Sequence, residues 1–396
     1  MHQFSTARLG RVARIRSGDA ISKAGMADDG VPVFGANGQM GYAPQPNFPQ
    51  GALCVGRVGS CGAVNHHKYP VFISDNALVV RPTRDSVATS FLEYVFRATN
   101  FAPLINQGAM PLLTGGDLAD LRVPLPESHI QTAIADFLDC KTAAIDTLIA
   151  KKEELIRELD AYRQALITET VSKGLNPDVA VRQSGVAGLG EIPAHWQVVK
   201  TGKVLRYIKG KAVPKEDLAL EGGASQRFWR TGDFWNLNNR EKDEVFVTNS
   251  TGLVWKNEDE LVICFDGFNS EIGKGTVGMA RFEGEGYIDS HLELITPRST
   301  QVHKRFLEYV HCTSWMESAI VRWARGAIAY SAGYAKYELQ LPLPPLPEQE
   351  AIAAHLDARL AGFRRTREIA SKQIAMLKEY RASLISEAVT GKLAIK

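Results

Sequence analysis

Positively charged side chains open two separate parts of the chain, and their grouping predicts contact with a polyanion. The first group lies before Asp19 and comprises Arg8, Arg11, Arg14 and Arg16. The second lies before Glu216 and comprises Lys200, Lys203, Arg206, Lys209, Lys211 and Lys215. Arg and Lys gathered in this way suit phosphate contacts, which supply affinity without sequence information. An ordinary solvated face is the alternative for either group alone, and the recurrence of the group favours phosphate contact.

Two loops carry side chains that could read the edges of bases. The loop GRVGSCG, residues 56–62, sets Arg57 and Ser60 among glycines, where the backbone can approach a partner closely. The loop RFWRTGDFWNLNNR, residues 227–240, mixes Arg, Asn, Trp and Phe. Arg can bind guanine and Asn can bind adenine through paired hydrogen bonds, and apolar groups contact the thymine methyl. The alternative is that Trp229, Phe234 and Trp235 are core residues.

These observations give a set of candidate DNA contacts. They are Arg11, Arg14, Arg16, Arg57, Ser60, Lys68, Lys203, Lys209, Lys211, Arg227, Arg230, Asn236, Asn238 and Arg240.

The residue patterns typical of catalysis are missing from the sequence. The segment NPD at residues 176–178 lacks the second proline and the aromatic ring with which a methyltransferase holds a flipped base. No GxxxxGK[ST] segment could cradle the phosphates of ATP. His66 and His67 are adjacent in an extended segment and would point to opposite faces, so no metal site is predicted there. The sequence predicts a binding protein with no catalytic residues and no cofactor of its own.

Composition narrows the class of protein further. The 396 residues carry a formal net charge of only +2, so basic regions are local rather than general. Five scattered cysteines without a CxxC pair favour reduced thiols over disulfides. No apolar run approaches the roughly eighteen residues of a membrane span, and the N-terminus lacks the apolar core of a signal peptide. We expect a cytoplasmic protein.

The chain repeats itself. AIADFLD at residues 133–139 returns as AIAAHLD at residues 351–357, an offset of 218, and matched pairs continue from Leu121/Leu339 to Val171/Val389. FLEYV at 91–95 returns at 306–310, and GRVARIRSG at 10–18 resembles GKVLRYIKG at 202–210. Both halves therefore begin and end alike, while the second has additional residues in its middle. The pattern indicates an internal duplication.

Each copy ends in a segment with coiled-coil periodicity. No proline interrupts residues 130–176 or 349–396, and at 1.5 Å per residue each helix would reach about 60 Å. We expect the two helices to pack antiparallel, relating the halves by a pseudo-two-fold axis; the alternative is that each helix caps its own domain. The predicted helix–helix interface comprises Ile134, Leu138, Ile145, Leu148, Leu155, Leu159, Tyr162, Leu166, Leu356, Leu360, Phe363, Ile374, Leu377 and Leu384.

The segments before the helices predict compact α+β domains. Short β-prone runs such as PVF, ALCVGRV, NALVVRP, ELVICF and HLELITP are separated by glycine-rich turns, and a helix is expected near each FLEYV. The predicted fold is α+β, with two such domains joined by two long antiparallel coiled-coil helices. The predicted segments are a first domain at 1–125, a helix at 126–174, a connector at 175–195, a second domain at 196–345 and a helix at 346–396.

Several of these elements resemble the specificity subunit of Type I restriction–modification systems. They are PLPPLPEQEAIAAHLD at 342–357, LISEAVTGK at 384–392, their counterparts in the first half, and GEIPAHW at 190–196. The first copy departs from the pattern: it reads PLPESHIQ, with Ile130 before Gln131 where the second copy has Glu348 before Gln349. The N-terminus also lacks the IPAHW entry. The first junction between domain and helix is therefore expected to be held differently.

The resemblance implies a division of labour. The specificity subunit reads double-stranded DNA, with each recognition domain reading one half of a bipartite target. Two modification subunits bind S-adenosylmethionine and methylate adenine, and restriction subunits add ATP- and Mg-dependent cleavage. The helices set the gap between half-sites. A pseudo-dyad protein suits the dyad of duplex DNA, and unlike domains make the target asymmetric. The alternatives are a specificity subunit of a solitary methyltransferase and a coiled-coil scaffold that never touches DNA.

Overall fold

The computed structural model describes residues 4–106, 111–220, 226–231, 233, 244–258, 260–264, 266–268, 278–280, 284–322, 330–331 and 335–395. The chain forms two compact units. The first unit comprises Met1–Glu154 with Ile369–Lys396, and the second comprises Leu155–Glu368.

Within its described residues the first unit contains nine strands, two complete α-helices, the start of a third and the end of the last long helix. The strands are β1 (Thr6–Arg8), β2 (Ala13–Ser17), β3 (Val31–Phe34), β4 (Gln39–Ala43), β5 (Ala52–Gly56), β6 (Val64–His67), β7 (Phe72–Ile73), β8 (Ala77–Pro82) and β9 (Arg122–Pro124). The helices are α1 (Thr89–Ala98), α2 (Gly115–Asp120) and the start of α3 (Ser128–Lys173), which continues into the second unit.

The second unit contains shorter strands and the remaining helices. The strands are β10 (Val181–Gln183), β11 (Glu191–Pro193), β12 (Gln197–Lys200), β13 (Leu205–Lys209), β14 (Leu218–Ala219), β15 (Gln226–Trp229), β16 (Phe246–Val247), β17 (Trp255–Lys256), β18 (Leu261–Cys264), β19 (Asp266–Phe268), β20 (Gly278–Ala280), β21 (Gly286–Ile288), β22 (Leu292–Pro297), β23 (Tyr330–Ser331) and β24 (Gln340–Leu343). The helices are α4 (Thr201–Val204), α5 (Lys304–His311), α6 (Ser314–Val321), α7 (Ala335–Glu338) and α8 (Leu346–Val389), which ends in the first unit.

Two sheets form the body of the first unit. An antiparallel sheet has the order β2-β8-β5-β6, and a second sheet has the order β4-β3-β7, in which β3 and β7 run parallel. Every residue of β5 is buried, because this strand lies in the interior of its sheet and is covered on both faces. Alternate residues Ala52 and Cys54 belong to a core with Phe48 and Val79.

The second unit repeats this plan. Its antiparallel sheet has the order β13-β22-β18-β20, and a five-stranded sheet, β14-β16-β15-β21-β17, contains one parallel pair, β15 with β21. The pairing of β1 with β9 is repeated by the pairing of β12 with β24. The α+β fold and the duplication predicted from the sequence are confirmed.

A glycine closes the first strand of each antiparallel sheet, and its absent side chain explains why the repeat preserves it. A Cβ on Gly18 would lie 2.2 Å from the carbonyl oxygen of Ile73, and a Cβ on Gly210 would lie 2.2 Å from that of Asp289. Any larger residue would force these backbone segments apart. The last letter of GRVARIRSG and GKVLRYIKG is therefore set by a steric requirement.

The long helices pack antiparallel within each unit. In the first unit, Arg381 of α8 lies 3.1 Å from Asp146 of α3 and Lys378 lies 3.6 Å from Glu153. In the second unit, Arg367 lies 3.5 Å from Asp160, and the rings of Tyr162 and Phe363 lie 5.4 Å apart. The residue numbers rise along α3 as they fall along α8. These contacts confirm the antiparallel packing and exclude helices that merely cap their own domains.

The residues predicted for the helix–helix interface differ in their exposure. Leu148, Leu155 and Tyr162 are exposed by 43%, 40% and 52%, although Tyr162 still contacts Phe363. The buried or half-buried members are Ile134, Leu138, Ile145, Leu159, Leu166, Leu356, Leu360, Phe363, Ile374, Leu377 and Leu384.

The observed seam of α3 follows alternating steps of three and four residues through polar as well as apolar positions. In the first unit it passes through Ile145, Ile149 and Lys152, all buried or half-buried. The sequence prediction instead chose the neighbouring positions of Leu148 and Leu155, which the structure leaves exposed. A polar residue can occupy a seam because its aliphatic stem packs while its head reaches a partner: Lys152 donates to Gln373 at 2.6 Å.

No helix within the described ranges combines the length and the apolar character needed to cross a bilayer.

His311 at the end of α5 makes the stability of the second unit depend on pH. Its ring is buried, and Nδ1 lies 3.0 Å from the carbonyl oxygen of Leu307. Burial lowers the pKa of His311 from its ordinary value of 6.5 to about 4. The unfolded chain therefore binds more protons than the folded chain between these two values. We expect the free energy of unfolding to fall as the pH drops through this window, by up to about 3 kcal/mol.

Urea denaturation at pH 7 and at pH 5 measures this effect. His311→Met should remove much of the pH dependence. The control His129→Met replaces an exposed histidine in the first turn of α3 and should leave the pH dependence in place. If the free energy of unfolding changed equally between the two pH values in the wild type and in His311→Met, other groups would cause the pH dependence.

Candidate nucleic-acid interface

The basic edge of the first unit is formed by β2. Arg14 and Arg16 are two residues apart on this strand, so their side chains lie on one face, and both are exposed. The guanidinium of Arg16 lies 4.9 Å from the centroid of the Phe48 ring and 3.9 Å from Asp19. Arg11, in the short turn before β2, is also exposed. The structure therefore brings these three predicted contacts together.

The glycine-rich loop joins β5 to β6, and its arginine is oriented by the protein. Arg57 donates to the hydroxyl of Ser17 at 3.2 Å and to the carbonyl oxygen of Asp75 at 3.4 Å. Its own carbonyl oxygen accepts from the amide of Leu113 at 2.9 Å. Ser60, at the tip, is exposed. The loop thus has a defined conformation, with a positioned cation at its base.

Lys68 lies at a different place from the other candidates of the first unit. Its ammonium group is 3.6 Å from Asp139 on α3, so it contributes to the junction between sheet and helix. Both side chains are largely exposed, and an ion pair of this kind contributes little stability.

Among the predicted contacts of the second unit, the lysines are exposed and Arg227 is bound by other residues. Lys203, Lys209 and Lys211 are exposed around β13. Arg227 instead lies over the Trp229 ring at 4.5 Å, is 3.2 Å from Asp233 and donates to the carbonyl oxygen of Val245 at 3.0 Å.

The loop of residues 227–240 is described only in part. Arg230 donates its backbone amide to Asp233 at 2.7 Å, and its side chain is half-buried. Trp229 packs against the core that contains Ile288, so the core alternative is confirmed for this aromatic residue. The remaining predicted contacts and aromatic residues lie outside the described residues: Phe234, Trp235, Asn236, Asn238 and Arg240.

A buried glutamine joins the α+β domain to the long helix in each unit. In the first unit, the side-chain amide of Gln131 donates to the carbonyl oxygens of Ser86 at 3.0 Å and Pro126 at 2.7 Å. Its own oxygen accepts from the backbone amide of Ala88 at 2.9 Å. Gln131 is 0% exposed, and these hydrogen bonds pair its oxygen and its amide nitrogen.

Gln349 makes the same three contacts in the second unit. Its amide donates to Gln301 and Pro344, both at 2.8 Å, and its oxygen accepts from the backbone amide of His303 at 2.9 Å. Sequence reasoning matched the two glutamines without giving them a role. The sequence feature that could have revealed this role is the occurrence of glutamine just before the apolar repeat in both copies.

A tyrosine–aspartate pair forms a second contact in each junction. The hydroxyl of Tyr94 on α1 donates to Asp139 on α3 at 2.6 Å, and Tyr309 on α5 donates to Asp357 on α8 at 2.7 Å. Burial, with the nearby carboxylate of Asp139, raises the pKa of Tyr94 to about 12, so this phenol remains a donor at neutral pH. Arg305 adds a further contact to Asp357 in the second unit alone.

The second junction has a further contact at the position where the two copies differ in sequence. His195 lies 2.9 Å from Glu348 at the start of α8, and the adjacent Trp196 is 1% exposed within the core. The first copy has Ile130 in place of Glu348 and so cannot make this pair.

The model of the family described as Type I restriction modification DNA specificity domain matches residues 1–158 and 193–373. The provisionally named type I restriction enzyme MjaX specificity subunit of Methanocaldococcus jannaschii is 26% identical over 332 residues, covering 81% of this chain and 72% of that protein. The type I restriction enzyme EcoDI specificity subunit of Escherichia coli is 22% identical over 423 residues, covering 98% and 88%.

One solved structure, concerned with complex assembly and conformational transition of the type I R-M system, contains a chain with the same fold. Its TM-score is 0.69 at 16% sequence identity, and the alignment covers 99% of this chain and 98% of that chain.

The glutamine junctions predict a large loss of stability when the amide is removed. Gln131→Met and Gln349→Met keep the length of the side chain but leave two carbonyl oxygens and one amide unpaired. We expect the free energy of unfolding of the affected unit to fall by about 3 kcal/mol. Urea denaturation measures the change, and Gln340→Met, at an exposed position, is the matched control. A loss equal to that of the control would contradict a structural role for the buried amides.

Proposed function

Because the chain belongs to the family of Type I restriction modification DNA specificity domains, we propose that its two domains read the two halves of one asymmetric DNA target. The observation that carries this proposal is the duplication itself. The same strand order occurs twice, as β2-β8-β5-β6 and as β13-β22-β18-β20, each with exposed basic residues on or beside its first strand. A protein with two equivalent but unlike readers suits a bipartite site.

Affinity and specificity would come from different residues. The exposed cations of β2 and of the region around β13 suit phosphate oxygens, which position the duplex without reading it. The β5–β6 loop, with Arg57 at its base and Ser60 at its tip, suits the base edges of one half-site. Arg227 contributes by supporting the fold of its loop, since its guanidinium binds Asp233 and Val245. The contacts of individual bases stay predictions.

The long helices would have two tasks. They connect the readers, so their length sets the gap between half-sites, and their outer faces would receive two modification subunits. Tyr162 and Tyr380 occupy equivalent positions of the repeat and are exposed by 52% and 58%. Each unit thus presents one tyrosine on its helical pair. Tyrosine combines a large apolar ring with a polar hydroxyl and is enriched at protein interfaces.

In this proposal the chemistry belongs to the partner subunits. The modification subunits would bind S-adenosylmethionine and methylate adenine, and restriction subunits would use ATP and Mg. The chain itself would be a non-catalytic reader in the cytoplasm. Exchange of its recognition domains would then change the target without changing the reaction.

A domain exchange tests the reading proposal. Replacing residues 1–125 with the corresponding domain of another family member should change one half-site and leave the other half and the gap unchanged, because each domain reads separately. Mapping methylated adenines in cells that carry the chimera gives the new target. Replacing residues 196–345 is the reciprocal control and should change the opposite half. Alteration of both halves by one exchange would refute independent reading.

An alanine substitution tests the docking proposal. Tyr162→Ala and Tyr380→Ala should each weaken binding of a modification subunit by roughly tenfold or more, as truncation of a central interface tyrosine does. Isothermal titration of the chain with isolated modification subunits measures the change. Tyr69→Ala removes another exposed tyrosine, away from the long helices, and should have no effect. Unchanged affinity in both helix variants would place the docking surface elsewhere.

A further inference from the structure

We infer that a cleft beside β2 and β8 of the first unit binds one backbone phosphate of the DNA duplex, an inference that rests on the proposed function. The observation that leads to it is the register of these two antiparallel strands, which places Arg14 directly opposite Arg81. Both residues are exposed. Residues directly opposite one another have Cβ atoms about 5 Å apart, within reach of a shared ligand.

Neither arginine has a partner of opposite charge among the described residues. Within the part of the chain that the structure describes, neither guanidinium forms a hydrogen bond or an ion pair. Two like charges directly opposite in a sheet destabilise it, so an arginine pair retained at this place without an acid is unfavourable in the free protein. An anion between them would reverse the sign of this interaction.

The surrounding cleft is suited to a phosphate group. It has a volume of about 510 Å³, and its lining contains no Asp or Glu. Besides the two arginines, its polar lining residues are Gln50, His66, Thr83 and Thr89. Hydroxyl and amide donors beside a pair of guanidinium groups form the donor set that binds phosphate oxygens.

The helix that begins at the cleft also favours a bound anion. Thr89 is the first residue of α1, whose N-terminus has no side-chain cap and no acidic residue in its first turn. Its free backbone amides and the helix dipole therefore favour an anion on the same side as the arginines.

Glu93, which contacts the cleft residue His66, already has cationic and hydrogen-bonding partners of its own. Glu93 contacts His66 at 2.7 Å and receives two hydrogen bonds from Arg97, at 2.9 and 3.0 Å. These partners lower the pKa of Glu93 despite the opposing effect of burial, so the carboxylate remains ionised and bound to them. It therefore leaves Arg14 and Arg81 available to an external anion.

The second unit lacks this arrangement. In its equivalent strands, β13 and β22, Arg206 lies opposite Thr296 rather than opposite a second arginine. The paired site is therefore a property of the first unit, and its phosphate contact would fall in the half-site that this unit reads.

The test replaces Arg81 with the residue that the second unit has at this place. Binding of the full chain to a duplex containing its target is measured by fluorescence anisotropy at several salt concentrations. For Arg81→Thr we expect weaker binding and a plot of log K against log salt that is less steep by about 0.9, the value for one phosphate. The preferred target sequence should not change, because phosphate contacts carry no base information. The melting temperature without DNA should not fall, because the like-charge contact is removed.

A second variant and a second ligand separate the possible outcomes. Arg84→Thr removes an equal, exposed charge three residues away and should leave the slope within error. An equal change in both variants, or no change in Arg81→Thr, would overturn the site while leaving the reading proposal intact. Titration with inorganic phosphate tests the cleft by itself: phosphate binding lost in Arg81→Thr, with unaltered DNA binding, would assign the cleft to a free anion and overturn the DNA contact. If the wild-type chain bound no DNA, the proposed function would fail as well.

Discussion

A buried side-chain amide at the start of each long helix is the interaction on which the architecture of each unit depends. Backbone groups outside helices and strands have no regular hydrogen-bond partner, and burial would leave them unpaired at considerable cost. Gln131 and Gln349 each pair three such groups with both ends of one amide. Glutamate lacks the donor and methionine lacks both functions, so few side chains could substitute. The tyrosine–aspartate contact eight residues along each helix then fixes the direction in which the helix leaves its domain.

The two long helices differ in their charges, although their sequences repeat. The three ion pairs across the seam all take the acid from α3 and the base from α8. Each is partly exposed and contributes little to stability by itself. Their common direction makes the charges of the two helices complementary to each other. This charge difference distinguishes the two helices, whose apolar residues are otherwise similar because of the internal repeat.

The two units combine a shared frame with unlike surfaces. Sheet order, the strand-closing glycine and the glutamine junction recur in both, whereas the partner opposite the first-strand arginine is Arg81 in one and Thr296 in the other. This division is what a two-part reader of an asymmetric target requires. The frame holds each reading surface in a constant relation to its own helix, and the surface residues can then differ without loss of the fold.

The sequence by itself determined the duplication, the α+β class, the two long helices and the region of basic side chains, because these follow from local periodicity and from matched residues. It did not determine which helical stripe forms the seam. Leu148 and Leu155 are exposed, whereas the neighbouring Ile149 is buried. Only the tertiary structure decided this, since the position of a residue in a seam depends on what the opposing helix offers. For the same reason Arg227 was indistinguishable in the sequence from a free cation until the fold brought Asp233 and Trp229 to it.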